Sequence, residues 1–180
     1  MFGRLLTIAT VAAAAFGNVL PRDAATVKTD ITNIAAQVTT LDNNINAFPA
    51  SGGTLTAALA IHNSAVALIS TINGATTDAT NAGAFSEDDG AEILASVEAI
   101  EPTIFDALEQ IVVKKPAFQA LPIGGLPALI LQDLTNLKTS TVAFANALIA
   151  DSPADLVDEA TTLRDDIAAA FDTAIAAYSS

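Results

Sequence analysis

The 180-residue chain contains no cysteine and no tryptophan, and it has one histidine, one tyrosine and one methionine. Without cysteine there is no disulfide, no thiolate nucleophile and no thiolate metal site. His62 has no second imidazole with which to share a metal. No Gly-x-Ser-x-Gly elbow is present, and Gly124 and Gly125 are not followed by the Lys-Ser/Thr of a phosphate loop. Cations are scarce too: seven Lys and Arg stand against twenty Asp and Glu, for a net charge of −13. Such a chain is a poor partner for nucleic acid or an anionic membrane surface. The acidic clusters Glu87-Asp88-Asp89, Asp158-Glu159 and Asp165-Asp166 lack the ligand spacing of a calcium loop and read as solvated helix starts and faces. No metal and no cofactor is expected. Beyond the leader described below, no stretch reads as long and apolar enough to span a membrane. The Ser-Ser end is no hydrophobic anchor tail, and none of Asn33, Asn63, Asn73 or Asn136 begins a glycosylation sequon. The expectation is a protein that binds rather than catalyses.

What the chain has instead is apolar surface: 52% of its residues, against 15% charged. Val27, Ile31, Ile34, Val38, Leu41, Ile45 and Phe48 recur at steps of four and three, which puts them on one stripe of a helix from about Ala25 to Phe48. Pro49 to Gly53 breaks the chain. A second helix from near Thr54 carries two adjacent apolar rows, including Ile61, Ala65, Val66, Leu68, Ile69 and Ile72, and continues past Gly74. After a loop over 81–85, Ser86 with Asp89 three residues on reads as an N-cap. The stripe Ile93, Val97, Ile100, Ile104, Leu108, Ile111 crosses Pro102 in phase, predicting one helix kinked there. Lys114 and Lys115 close it. Residues 116–127 hold three prolines and two glycines and read as an irregular connector that packs down through Phe118, Leu121, Ile123 and Leu126. A fourth helix from Pro127 to Ala150 turns Ile130, Leu134, Leu137, Thr141, Phe144 and Leu148 inward. A fifth, with Ser152 as N-cap and Pro153 at N1, carries Leu163, Ile167 and Phe171. The predicted fold is all-α, an antiparallel bundle of four to five amphipathic helices in one domain spanning 23–180. An interior of Ala, Val, Ile and Leu either encloses a dry cavity or packs its helices closely, and composition does not choose between them.

Arg4 followed by an apolar run from Leu5 to Phe16, with the small-x-small pattern Ala15-Phe16-Gly17, reads as a secretory signal peptide over 1–17. Leu20-Pro21-Arg22 is a candidate for further trimming, to about residue 22. The expected location is extracellular or wall-associated.

The connector Lys114-Lys115-Pro116-Ala117-Phe118-Gln119-Ala120-Leu121-Pro122-Ile123-Gly124-Gly125 resembles that of the fungal hydrophobic surface-binding protein A family, which includes antigenic cell-wall galactomannoproteins. The likeness extends from Val27-Lys28-Thr29-Asp30-Ile31 through Leu134 to Thr139 and Ser152 to Leu156, as far as Ala174 to Tyr178. It implies a small secreted helical protein that adsorbs to hydrophobic surfaces, in some members recruiting a cutinase-type esterase, and in related mannoproteins holds fatty acids in an apolar tunnel. A Ser/Thr-rich stalk is missing, which favours a freely secreted form.

The candidate apolar lining is Ile31, Ile34, Val38, Leu41, Val66, Ile69, Val97, Ile104, Leu108, Leu134, Leu137 and Phe144. His62 has two readings: a satisfied core or rim histidine, or a polar anchor for a ligand carboxylate. Gln37 and Gln132 are further anchor candidates. The functional expectation is binding of apolar surfaces or fatty-acid-like lipids. The alternative is a structural wall protein or antigen with no small ligand.

Overall fold

The computed structural model describes residues 24–122 and 124–180. The predicted signal segment 1–17, the trimming site near 22 and Ile123 lie outside the described residues.

Seven helices follow in order: α1 (Ala24–Ala47), α2 (Leu55–Ala82), α3 (Glu87–Glu98), α4 (Glu101–Val113), α5 (Lys115–Gln119), α6 (Leu126–Asp151) and α7 (Val157–Ser179). No strand occurs among the described residues. The all-α expectation holds, and the elements differ from their predicted forms in four places. First, α3 and α4 are separate helices joined at Ala99 and Ile100. Both joint residues stay in right-handed conformation, and Pro102 falls in the first turn of α4. Pro102 has no N–H to offer the Glu98 carbonyl and its ring crowds that carbonyl, so the hydrogen-bond ladder breaks ahead of it. Second, the connector is not wholly irregular: Lys115–Gln119 makes one helical turn, opened by Pro116. Third, α7 starts at Val157 after a turn closed by Leu156 N–H to Pro153 O at 3.1 Å, so Pro153 is not its first helical residue. Ser152 instead turns its hydroxyl back onto Leu148 O, 2.8 Å away, at the end of α6. Fourth, α2 is in fact long and apolar enough, by length and composition alone, to cross a membrane. Here it is a central helix, packed on α1 and α6.

All seven stripe residues of α1 are buried, at 7% exposure or less. The long helices, α1 among them, close a ring: α1 on α2, α2 on α6, α6 on α7, α7 on α4, and α4 back on α1, with α3 extending the α4 arm. Each arm reverses the direction of the one before it in sequence. Ring closure also sets some arms parallel, as the His62–Asp133 contact shows for the starts of α2 and α6 and the Tyr178–Ile111 contact for the ends of α7 and α4. With neighbouring axes ~9 Å apart, the centre of a five-membered ring lies about 8 Å from every axis, farther than side chains of modest size fill.

One end of the ring is plugged. Phe48 and Phe118 are both 1% exposed and stack at 4.2 Å between ring centroids. Helix ends leave carbonyls without partners, and here three cationic or hydroxyl donors collect them. Buried Lys114 donates to Asn46 O at 2.8 Å and to Phe48 O, closing α1. Lys115 donates to Ala177 O at 2.6 Å and Ser180 O at 3.1 Å, closing α7. Buried Tyr178 donates its hydroxyl to Ile111 O at 2.7 Å, near the end of α4, and burial raises its pKa. The Lys-Lys pair therefore ties two different helices to the connector.

Candidate functional site

The ring encloses an apolar cavity of about 140 Å³. Every arm contributes to it. The α1 stripe supplies Ile31, Ile34, Val38, Leu41 and Ile45, while Val27 and Phe48 at its two ends do not reach the space. From α2 come Ile61, Ala65, Leu68 and Ile72, and the α3–α4 arm adds Ile93, Leu94, Val97, Ile100, Ile104 and Leu108. On α6 the lining includes Leu134, Leu137, Phe144 and Leu148, and on α7 Leu163, Ile167 and Phe171. The volume is close to the ~150 Å³ of a dry apolar cavity that accepts benzene. Burial is graded along it. Near the start of α6 its walls, such as Ile45, Ile61, Ile111 and Ile130, are fully buried; near the end of α6, Leu94, Ile149, Ser152, Ala160 and Arg164 are half-buried. The cavity thus approaches the surface at the end opposite the Phe48–Phe118 plug.

Four polar side chains touch this space: Asp133, Thr141, Ser152 and Arg164. Asp133 is buried, and its Oδ2 lies 2.8 Å from His62 Nδ1. Burial raises the Asp133 pKa, and the His62 contact offsets part of that rise. Thr141 has no hydrogen-bond partner among the described residues, although most helical threonines here, such as Thr135 and Thr139, bond the carbonyl four residues back. Arg164 donates from Nε and Nη2 to Asp165 Oδ1, at 2.9 and 2.8 Å, and from Nη1 to Asn146 Oδ1 at 3.0 Å, pinning α7 to α6. No group of three metal-ligating side chains occurs among the described residues.

Of the residues singled out from sequence, Ile31, Ile34, Val38, Leu41, Val97, Ile104, Leu108, Leu134, Leu137 and Phe144 are brought together on the cavity wall. Val66 and Ile69 are not. Val66 is 48% exposed and Ile69 packs against the outside of the core. Both apolar rows of α2 have helical spacing, and the one bearing Ala58, Ala65, Ala75 and Ala79 turns inward because its small side chains let α1 and α6 approach. Leu55 and Leu59 are left exposed with Val66. Gln132 is exposed. Gln37 is half-buried between α1 and α2, where its amide donates to Thr71 Oγ1 at 2.8 Å, away from the cavity. His62 reaches the cavity only through Asp133. Asp133 and Arg164 are the site residues that sequence reading passed over. The signal for Asp133 was its place three residues after Ile130 and four before Leu137, on the inward row that Gln132 misses. Arg164 follows Leu163 at the edge of the inward face of α7, a position with no signature of its own.

The profile of the hydrophobic surface binding protein A family matches residues 24–150. A comparison with curated protein sequences gives no match. Among solved structures, AFMP4P in complex with palmitic acid is 33% identical, with a TM-score of 0.80 over 87% of this chain and 99% of that one. Ligand binding domain 1 of Penicillium marneffei MP1 protein, complexed with arachidonic acids, is 19% identical, with a TM-score of 0.77 over 86% of this chain and 98% of that one. Domain 2 of the same protein, also complexed with arachidonic acids, is 18% identical, with a TM-score of 0.77 over 88% of this chain and 97% of that one. The two MP1 domains share the fold. The match over residues 24–150, together with the 33% identity to AFMP4P, makes this chain a member of the hydrophobic surface binding protein A family.

Proposed function

We propose that the protein binds a long-chain fatty acid, with the acyl chain inside the five-arm ring. The carrying observation is the cavity itself: an aliphatic space to which every arm contributes, approaching the surface at one end, in a chain a third identical to a protein crystallised with palmitic acid. Each methylene taken from water contributes about 0.8 kcal/mol. The cavity is smaller than the few hundred Å³ typical of a pocket preformed for a ligand of that size. Binding therefore has to part the arms, and its cost is the packing lost between them. Native mass spectrometry of the protein recovered from culture medium tests the reading. A bound species of fatty-acid mass supports it. Absence of lipid, together with no binding of cis-parinaric acid at micromolar concentration, sinks it. Recovery from the medium with an N-terminus near residue 18 or 23 would establish the leader and export.

A second reading concerns the outside of the bundle. Leu55, Leu59 and Val66 form an exposed apolar row on α2, spaced four and seven residues apart. Such a row suits adsorption to a hydrophobic solid, the place where a cutinase-type esterase would be recruited. Depletion from solution by polystyrene beads measures it. Leu59→Lys with Val66→Lys should abolish depletion and leave fatty-acid binding intact, so the two readings separate.

A further inference from the structure

Fatty-acid binding leaves open which way round the ligand lies. Five Lys and Arg residues fall among the described residues, and four are committed away from the cavity. Lys28 pairs with Asp89 and Glu92, and Lys138 with Asp172. Lys114 and Lys115 hold the carbonyls of helix ends. Only Arg164 lines the apolar space. Its side chain is 25% exposed, so it is partly shielded where it borders that space. Asp165 and Asn146 take three of its five N–H groups, which holds the fork in place and leaves one N–H on each terminal nitrogen. Asp165 is 63% exposed, so water screens its charge. Ser152, at the same end, can still accept a hydrogen bond.

The other charged group on the wall is Asp133, 13 residues from Asn146 along α6, a span of about 20 Å. A carboxylate there repels an anionic head group. Beyond it the Phe48–Phe118 stack closes the ring. We infer that Arg164 is the seat of the ligand carboxylate: the head group lies against the guanidinium at the α6–α7 end, and the acyl chain runs inward past Thr141 toward the aromatic plug. This rests on the fatty-acid reading above and adds its polarity and its anchor.

The test compares cis-parinaric acid with its methyl ester, titrated into the mature chain at pH 8 and followed by fluorescence. The wild-type protein should hold the acid at least about tenfold more tightly than the ester, the share expected of hydrogen bonds to charged groups. In Arg164→Gln that preference should vanish while ester binding persists. Arg164→Lys, which keeps the charge, should retain part of it. Lys138→Gln, which removes a cation outside the cavity, should leave it unchanged. Equal binding of acid and ester by the wild type overturns the assignment, as does a preference that survives in Arg164→Gln or disappears in Lys138→Gln. If Arg164→Gln loses both probes through misfolding, Arg164→Lys decides, and loss of the preference with the charge still present overturns it. If the wild type binds neither probe, the fatty-acid reading itself has failed.

Discussion

Lys114 carries more of the structure than a lysine at a helix end ordinarily does. Its ammonium is buried against the last carbonyls of α1, so its desolvation is offset by charge-assisted hydrogen bonds. Lys114→Met would leave those carbonyls buried and unpaired, and should cost about 2–3 kcal/mol. Urea unfolding should show a lower midpoint at unchanged slope. Lys138→Met, which removes the bond to exposed Asp172, should change stability by less than about 1 kcal/mol. On the cavity wall, Val38 and Val97 are small enough to be enlarged into the void. Val38→Phe and Val97→Phe should each weaken cis-parinaric acid binding by about tenfold or more, since an added ring must either fill the cavity or strain the arms around it. Unchanged binding in both would move the ligand elsewhere.

Among the elements, α3 shows how a tertiary contact overrides propensity. Gly90 lies inside this helix, where alanine would ordinarily gain about 1 kcal/mol. A Cβ at this position would stand 2.6 Å from the Pro153 ring and 3.2 Å from Leu156. The ring is rigid and belongs to the turn between α6 and α7, so the clash wins. Gly90→Ala should lower stability by about 1–2 kcal/mol, measured as a fall in thermal midpoint. Gly53 does the same for the plug: a Cβ there would meet the Phe48 ring at 2.2 Å, and that ring cannot withdraw because Phe118 stacks on it. The long stripes of α1 and α6 were legible from spacing, because a four-three rhythm over twenty residues has one helical solution. The connector turn α5 was not, because Pro116 marks a helix start as readily as a loop. On α2 two apolar rows met the same criterion, and only contact with α1 and α6 separated Ile61 and Leu68 from Val66 and Ile69.

At the level of the whole molecule, a strongly acidic chain has had to bring carboxylates together between its helices. Burial raises the pKa of Asp42 between α1 and α4, with the charge of Asp106 adding to it. Burial also raises Asp30, with Asp78 on α2 contributing, and one Asp30 oxygen is buried without a hydrogen bond. Asp133 shifts in the same direction. An acid whose pKa is higher in the folded state binds more protons there than when unfolded. Stability is therefore greatest below the raised values and falls as pH climbs through them from about 4 upward. Asp89, held low by its hydrogen bond from Lys28, acts in the opposite sense. The thermal midpoint should be higher at about pH 4 than at about pH 8. In Asp42→Asn, which removes a buried carboxylate and its repulsion with Asp106, that difference should shrink.

From the sequence alone the chain was bound to be helical, apolar within and poor in chemistry. Periodicity, caps and the absence of cysteine depend only on neighbours along the chain. The connector Lys114 to Gly125 pointed to its family for the same local reason. Ring order is a different kind of fact. That α4 meets α7 and α2 meets α6 depends on contacts between segments far apart in sequence. Closing five arms rather than four moves the centre out of reach of the side chains, and that is why a cavity exists where the same stripes could have met. It is also why five of the seven stripe residues of α1 face empty space while Val27 and Phe48 hold its ends. Asp133 and Arg164 gained their places only through that closure, one paired to His62 inside the bundle and the other pinned between α6 and α7 at its rim.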